Sequence, residues 1–169
     1  MKIQLSKITK YQEKQCKLFS EFSVTSSLDE YEKRNQSNKD KITTDIYNGK
    51  EAEFMVYNFL ISSSKKLNSP DLNIYDKFNK SYDADLVLKN ANIHVKSHKV
   101  NSNFPVSWVF QKNDPLLVYR DEKDFLALVV INNDISYMYL NKISEVQFKE
   151  PIKESLKETK LCIYEKDLL

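Results

Sequence analysis

The residues with the clearest capacity for chemistry lie in two short runs, Asp85-Leu86-Val87-Leu88 and Ile93-His94-Val95-Lys96. Both read as strands, and in the second run alternation sends Ile93 and Val95 to one face and His94 with Lys96 to the other. The spacer Lys89-Asn90-Ala91-Asn92 contains turn-forming residues, which predicts a hairpin with Asp85 across from the basic pair. A carboxylate that opens an apolar strand beside an inward-facing lysine is costly unless it is paired or holds a metal ion. Grouped on one surface, a carboxylate, an imidazole and an ammonium could bind a hard divalent cation and stabilise developing negative charge.

Upstream, Ile42, Ile46, Ala52, Val56, Phe59 and Leu60 recur at three- and four-residue intervals from Lys41 to Ser62, the strongest helical signal in the chain. Gly49, the single glycine, sits inside this pattern. A glycine there costs about 1 kcal/mol against alanine, so either the helix begins near it or something approaches the backbone closely. With Gly49-x-x-x-Glu53 in the helix, Asp85 opening one strand and Ile-His-Val-Lys-Ser on the next, residues 46–97 resemble the PD-(D/E)xK nuclease superfamily, including its restriction endonucleases and Holliday-junction resolvases. The resemblance implies metal-dependent hydrolysis of phosphodiester bonds, with DNA as the expected substrate and RNA not excluded. It makes Asp85 the central Mg²⁺ ligand, Lys96 the catalytic lysine, Glu53 a helix-borne ligand and Val95 a ligand through its carbonyl. His94 departs from the pattern, standing where the family has aspartate or glutamate. Imidazole is a poorer ligand than carboxylate for Mg²⁺ and a better one for Mn²⁺. Three roles are open to it: nitrogen ligand, hydrogen-bonding partner of substrate while Glu53 or Asp83 supplies the missing charge, or mark of a degenerate site that only binds nucleic acid.

Other residues compete for these roles. Asp83 shares the face of Asp85 but reads first as a turn residue, and Pro70-Asp71 matches the motif literally but lies too far upstream for a direct hairpin to Lys96. Glu51 competes with Glu53 and is disfavoured only by the Gly-x-x-x-Glu spacing. Gln111, Ser97 and Lys99 are candidate substrate-binding residues, Gln111 because a strand at 106–110 is expected beside the catalytic hairpin. For each the plainer alternative is a solvated or edge-capping side chain. Trp108 and Phe110 share a face and read as core, and Tyr137 with Tyr139 as sheet packing.

Positioning these residues falls to a helix-then-sheet chain. Apolar side chains at Ile8, Tyr11, Leu18, Phe19 and Phe22 predict a helix over 5–22, followed by a polar linker or weakly helical arm. Beyond Ser69-Pro70, strands are predicted over 72–75, 85–88, 93–96, 106–110, 125–131, 135–140 and 161–164, with Asn132-Asn133-Asp134 turning the fifth into the sixth. The order implies an α+β or α/β fold, and the resemblance a restriction endonuclease-like core: a central mixed β-sheet flanked by helices. Residues 1–40 are expected to form an N-terminal helix and polar arm, and 41–169 the core domain.

The chain's 169 residues suit a single domain, and 41% hydrophobic with 30% charged residues suits a packed core and a solvated surface. No apolar run approaches the roughly 20 residues of a membrane span, and the N-terminus lacks the apolar stretch of a signal peptide, so a cytoplasmic protein is expected. Cys16 and Cys162 lack metal-ligand spacing and read as reduced thiols. Net charge is +2, too small to announce nucleic-acid binding by itself. Of 26 basic residues only Arg34 and Arg120 are arginine, leaving 24 lysines, which suit phosphate contacts better than base reading. Two functions follow: a structure-selective or restriction-like DNA endonuclease using Mg²⁺ or Mn²⁺, and a catalytically degenerate nucleic-acid-binding protein of the same fold. By analogy with enzymes that dimerise to cut both strands, a homodimer is an expected assembly.

Overall fold

The computed structural model describes residues 1–32, 37–63, 66–75, 83–100, 104–119 and 121–168. Both arginines lie outside them. The architecture is α+β: a five-stranded mixed sheet in the order β1-β6-β5-β3-β2, with helices against one face and a two-stranded ribbon, β4-β7, against the other. The strands are β1 (Lys2–Leu5), β2 (Leu86–Leu88), β3 (Ala91–Lys99), β4 (Ser107–Gln111), β5 (Asp124–Ile131), β6 (Ser136–Lys142) and β7 (Lys160–Tyr164). The helices are α1 (Lys10–Glu32), α2 (Lys39–Ile61) and the single turn α3 (Pro115–Val118). No helix among the described residues is long and apolar enough to cross a membrane.

Local chemistry sets the ends of the helices. Thr9 and Gln12 form a reciprocal capping box, the Thr9 hydroxyl accepting from Gln12 N at 3.2 Å and the Gln12 side-chain Oε1 from Thr9 N at 3.0 Å. It starts α1 at Lys10, and the chain before it forms an edge strand that pairs antiparallel with β6. The polar stretch after Phe22, expected as a linker or a weakly helical arm, is helical to Glu32, and α1 packs along α2. Asn38 caps α2 by accepting from Lys41 N at 3.0 Å. The helix runs straight through Gly49, and a methyl group there would meet nothing within 4 Å among the described residues. Neither explanation offered for that glycine holds.

Strand β5 is buried on both faces and divides the interior. Ala127, Val129 and Ile131 pack with Ile93, Val95 and the α2 residues Ala52, Met55 and Val56. Leu126, Leu128 and Val130 pack with Trp108 and Phe110 of the ribbon. β2 and β3 form the expected hairpin, with Leu86 opposite Ile93 and Lys89 in the left-handed region at φ 56°. β3 and β5 are parallel, joined by the crossover through β4 and α3. Two sequence expectations fail here. Residues 72–75 form no strand, and β4, although it packs against β3, pairs with β7 rather than joining the hairpin's sheet.

Candidate active site

Because β2 is only three residues long, β3 loses its partner on that side beyond Ile93. The N–H of Asn92 points the other way, to the Lys123 carbonyl at 2.9 Å, so backbone alternation turns the N–H and C=O of Val95 toward the vacated edge. Asp85 fills it, one carboxylate oxygen accepting from Val95 N at 2.7 Å. The hydrogen bond that ends the pairing thus places a carboxylate at the sheet margin beside the Val95 carbonyl.

Around this margin lies a cleft of about 1340 Å³. Glu53 and Lys50 enter it from α2 on the helix-packed side, His94 and Lys96 from the ribbon-facing side of β3, with Asp85 at the edge between them. The Lys96 ammonium stands 5.5 Å from the centre of the Phe110 ring. All four principal candidates therefore line one cleft. Asp83 and Asp71 line it as well. Both Asp71 carboxylate oxygens are engaged, Oδ1 accepting from Asn73 N at 2.9 Å and Oδ2 from the Tyr75 hydroxyl at 2.6 Å; partial desolvation raises the carboxyl, but these two bonds, with the charge of Lys50, outweigh it and hold it below its usual range. Glu51 lies outside the lining. Its Oε2 is buried with no hydrogen-bond partner among the described residues, and burial raises its carboxyl, Lys99 opposing.

Two contributors escaped the sequence reading. Lys50 is buried and donates to Glu53 Oε2 at 2.6 Å and to the Asp71 carbonyl at 2.8 Å. Even so, burial, and after it the charge of Asp85, pushes the Glu53 carboxyl up to about 8, with Asp71 adding to the rise and Lys50 opposing it. Asp124, the buried first residue of β5, accepts from Asn92 Nδ2 at 3.0 Å and from Asp121 N at 2.9 Å. Its Oδ1 lies 3.5 Å from His94 Nε2. Burial raises the Asp124 carboxyl, but the bonds from Asp121, Asn92 and His94 outweigh that and the net is a lowered value.

Comparison with protein-family models, curated proteins and solved structures gives no match.

The secondary candidates fall elsewhere. Ser97 and Lys99 continue β3 on the face of Ile93 and Val95, and Lys99 is close enough to Glu51 to lower its carboxyl. Gln111 sits at the end of the ribbon opposite Lys160. None of the three lines the cleft among the described residues. Trp108 and Phe110 are core, Trp108 also donating to the Val129 carbonyl at 3.0 Å. Tyr137 and Tyr139 pack in the sheet and share Glu165 Oε1 at 2.7 and 2.9 Å.

No group of three His, Cys, Asp or Glu side chains among the described residues is arranged to cage a metal ion, and His94 Nε2 is turned to Asp124. A hard ion needs fewer protein ligands than a cage, since Mg²⁺ is commonly held by one or two carboxylates with water and substrate oxygens. Asp85, Glu53 and the Val95 carbonyl fit that sparser set. Burial, and after it the charge of Asp85, raises the Glu53 carboxyl and favours its protonated form, and a bound cation would favour the ionised one.

Proposed function

We propose that the chain is a metal-dependent nuclease that hydrolyses phosphodiester bonds of DNA on a restriction endonuclease-like core. The observation that carries the reading is that Glu53, Asp85, His94 and Lys96, drawn from a helix, a strand margin and a strand, line one cleft in the order that the PD-(D/E)xK resemblance requires. Asp85 and Glu53, with the Val95 carbonyl, are the residues that would hold Mg²⁺ or Mn²⁺. Such an ion supplies charge that polarises the scissile phosphate and favours deprotonation of water.

The chain's own groups do the rest. Lys96 places a positive charge where the phosphate gains negative charge. Lys50, itself anchored on the Asp71 carbonyl, holds the Glu53 carboxyl in the cleft through its 2.6 Å bond. Asp124, fixed by Asn92 and the Asp121 backbone, orients His94 and favours a proton on its Nε2. A second reading is a degenerate site that binds nucleic acid without cutting it. It is favoured by the same two contacts, because Glu53 already has a counter-ion and His94 already has a carboxylate partner.

The deciding experiment is cleavage of linear, supercoiled, single-stranded and branched DNA, and of RNA, in Mg²⁺, Mn²⁺ or chelator. The nuclease reading expects divalent-dependent products that disappear in Asp85→Ala. Binding in chelator with no product in any metal would favour the degenerate site.

A further inference from the structure

The mouth of the cleft carries two tyrosine rings for which the catalytic reading has no use. Tyr119 lies directly after α3 and is 79% exposed, although its backbone is held by a bond from its N–H to the Pro115 carbonyl at 2.8 Å. Tyr75 is 38% exposed and is fixed at its far end by the 2.6 Å bond from its hydroxyl to Asp71. Asp71 in turn accepts from Lys50, which donates to Glu53. An exposed aromatic face is thus tied through two residues to a carboxylate of the proposed metal site. The Tyr75 ring, kept partly in water yet held by its hydroxyl, is preorganised to receive a flat partner, and Tyr119 offers a second exposed ring on a fixed backbone.

Charge narrows the choice of partner. Glu53, Asp71, Asp83, Asp85, Asp114 and Asp124 line the cleft against the lysines Lys50 and Lys96. A duplex would bring two phosphate backbones to an acidic surface, whereas a single strand brings one, of lower charge density, and offers base faces for stacking. At about 1340 Å³ the cleft also exceeds the roughly 300–1,000 Å³ of small-molecule pockets, as a polymer segment needs.

We infer that the cleft takes an unpaired, single-stranded segment of nucleic acid whose bases stack on Tyr75 and Tyr119. The inference rests on the nuclease reading and names its substrate class. It is tested by binding in chelator, where nothing is cut, using a fluorescent oligothymidylate, a duplex of the same length and the same single strand with abasic sites. Tyr119→Ala and Tyr75→Ala should each weaken single-strand binding by about 5- to 150-fold, the range for loss of one base–aromatic stack, and leave duplex binding unchanged. The abasic strand should lose a similar factor with the unaltered protein and little more with the variants. Tyr75→Phe, which keeps the ring and loses the bond to Asp71, should stay within about threefold. Equal loss in Tyr75→Phe and Tyr75→Ala would make Tyr75 a structural anchor and overturn its stacking role. Equal affinity for duplex and single strand, or no effect of Tyr119→Ala, would overturn the inference while Asp85-dependent cleavage left the nuclease reading standing. Failure to bind any of the three probes, together with absence of cleavage, would overturn both.

Discussion

Replacing Glu53 by glutamine isolates the electrostatic strain at the centre of the cleft. The carboxyl titrates near 4.5 when unperturbed and at about 8 in the folded chain, chiefly because of burial and then the charge of Asp85. Below pH 4.5 the group is protonated in both states and contributes nothing to the pH dependence. Between 4.5 and 8 the unfolded chain releases the proton first, so stability falls as pH rises, and above 8 the full penalty is in place. The interval corresponds to roughly 5 kcal/mol as a ceiling, since each pH unit is worth about 1.4 kcal/mol and relaxation around a buried charge reduces the effect. Glutamine is close in shape, keeps an acceptor for Lys50 and does not ionise. Urea unfolding from pH 5 to pH 8.5 should show the natural protein losing several kcal/mol across this window relative to Glu53→Gln, with the two curves meeting at the acid end. A millimolar divalent cation should return part of the loss to the natural protein and little to the variant. Parallel curves over the whole range would refute the assignment of buried, undercompensated charge to Glu53.

Lys96→Ala should lower cleavage by at least about 100-fold, the scale of one lost charge-stabilising donor, while circular dichroism and nucleic-acid affinity change little. His94→Asp or His94→Glu should retain or raise activity in Mg²⁺, and His94→Ala should cost more in Mg²⁺ than in Mn²⁺; equal inactivity of the natural protein and all three variants would leave the binding-only reading. Asp124→Ala strands the Asn92 amide and the Asp121 N–H, and should cost about 1–3 kcal/mol in urea unfolding.

How far the sequence could be read depended on whether a pattern was periodic. Lys39–Ile61 and the hairpin at 86–99 were legible because a stripe at 3.6 residues and an alternation at two each leave a repeating trace. The segment 72–75 has β-type composition, but Asp71 satisfies Asn73 N with its own side chain and binds the Tyr75 hydroxyl, a local solution that competes with strand pairing. The second half of α1 is ambiguous in sequence between linker and weak helix because its buried side chains include Ser23 beside Val24, with Ser20 buried just before them, and the Ser20 and Ser26 hydroxyls bond back to Lys17 and Ser23 carbonyls, so polarity does not mark the solvent side. The start of α1 was available in Thr9-x-x-Gln12, a capping box read past. Asp124 was available too. It opens Phe125–Ile131 as Asp85 opens Leu86–Leu88, and the argument that a carboxylate at the head of an apolar strand needs a partner applied to both. Lys50 left no such trace, because a lysine three residues before a glutamate on a helix reads as a solvated pair until the tertiary fold buries it.

Lys50 also joins the charge of the chain to the charge of the cleft. A net charge of +2 spread over a lysine-rich surface would by itself favour a polyanion, yet the cleft walls carry six carboxylates against two lysines. Repulsion from those carboxylates weakens the hold on a phosphate until positive charge is added, which leaves base stacking to carry the weaker binding in chelator. At the centre Lys50 is bonded to Glu53, which burial and then the charge of Asp85 raise to about 8; with both carboxylates ionised, as a bound cation would hold them, Glu53, Asp85 and Lys50 together carry a single negative charge. Adding a monovalent cation would only neutralise the trio. A divalent ion would make it positive, reversing the sign that phosphate meets. On this arithmetic the dependence on a divalent cation should appear in binding at the cleft as well as in hydrolysis, and the catalytic and electrostatic needs of the site are met by the same ion.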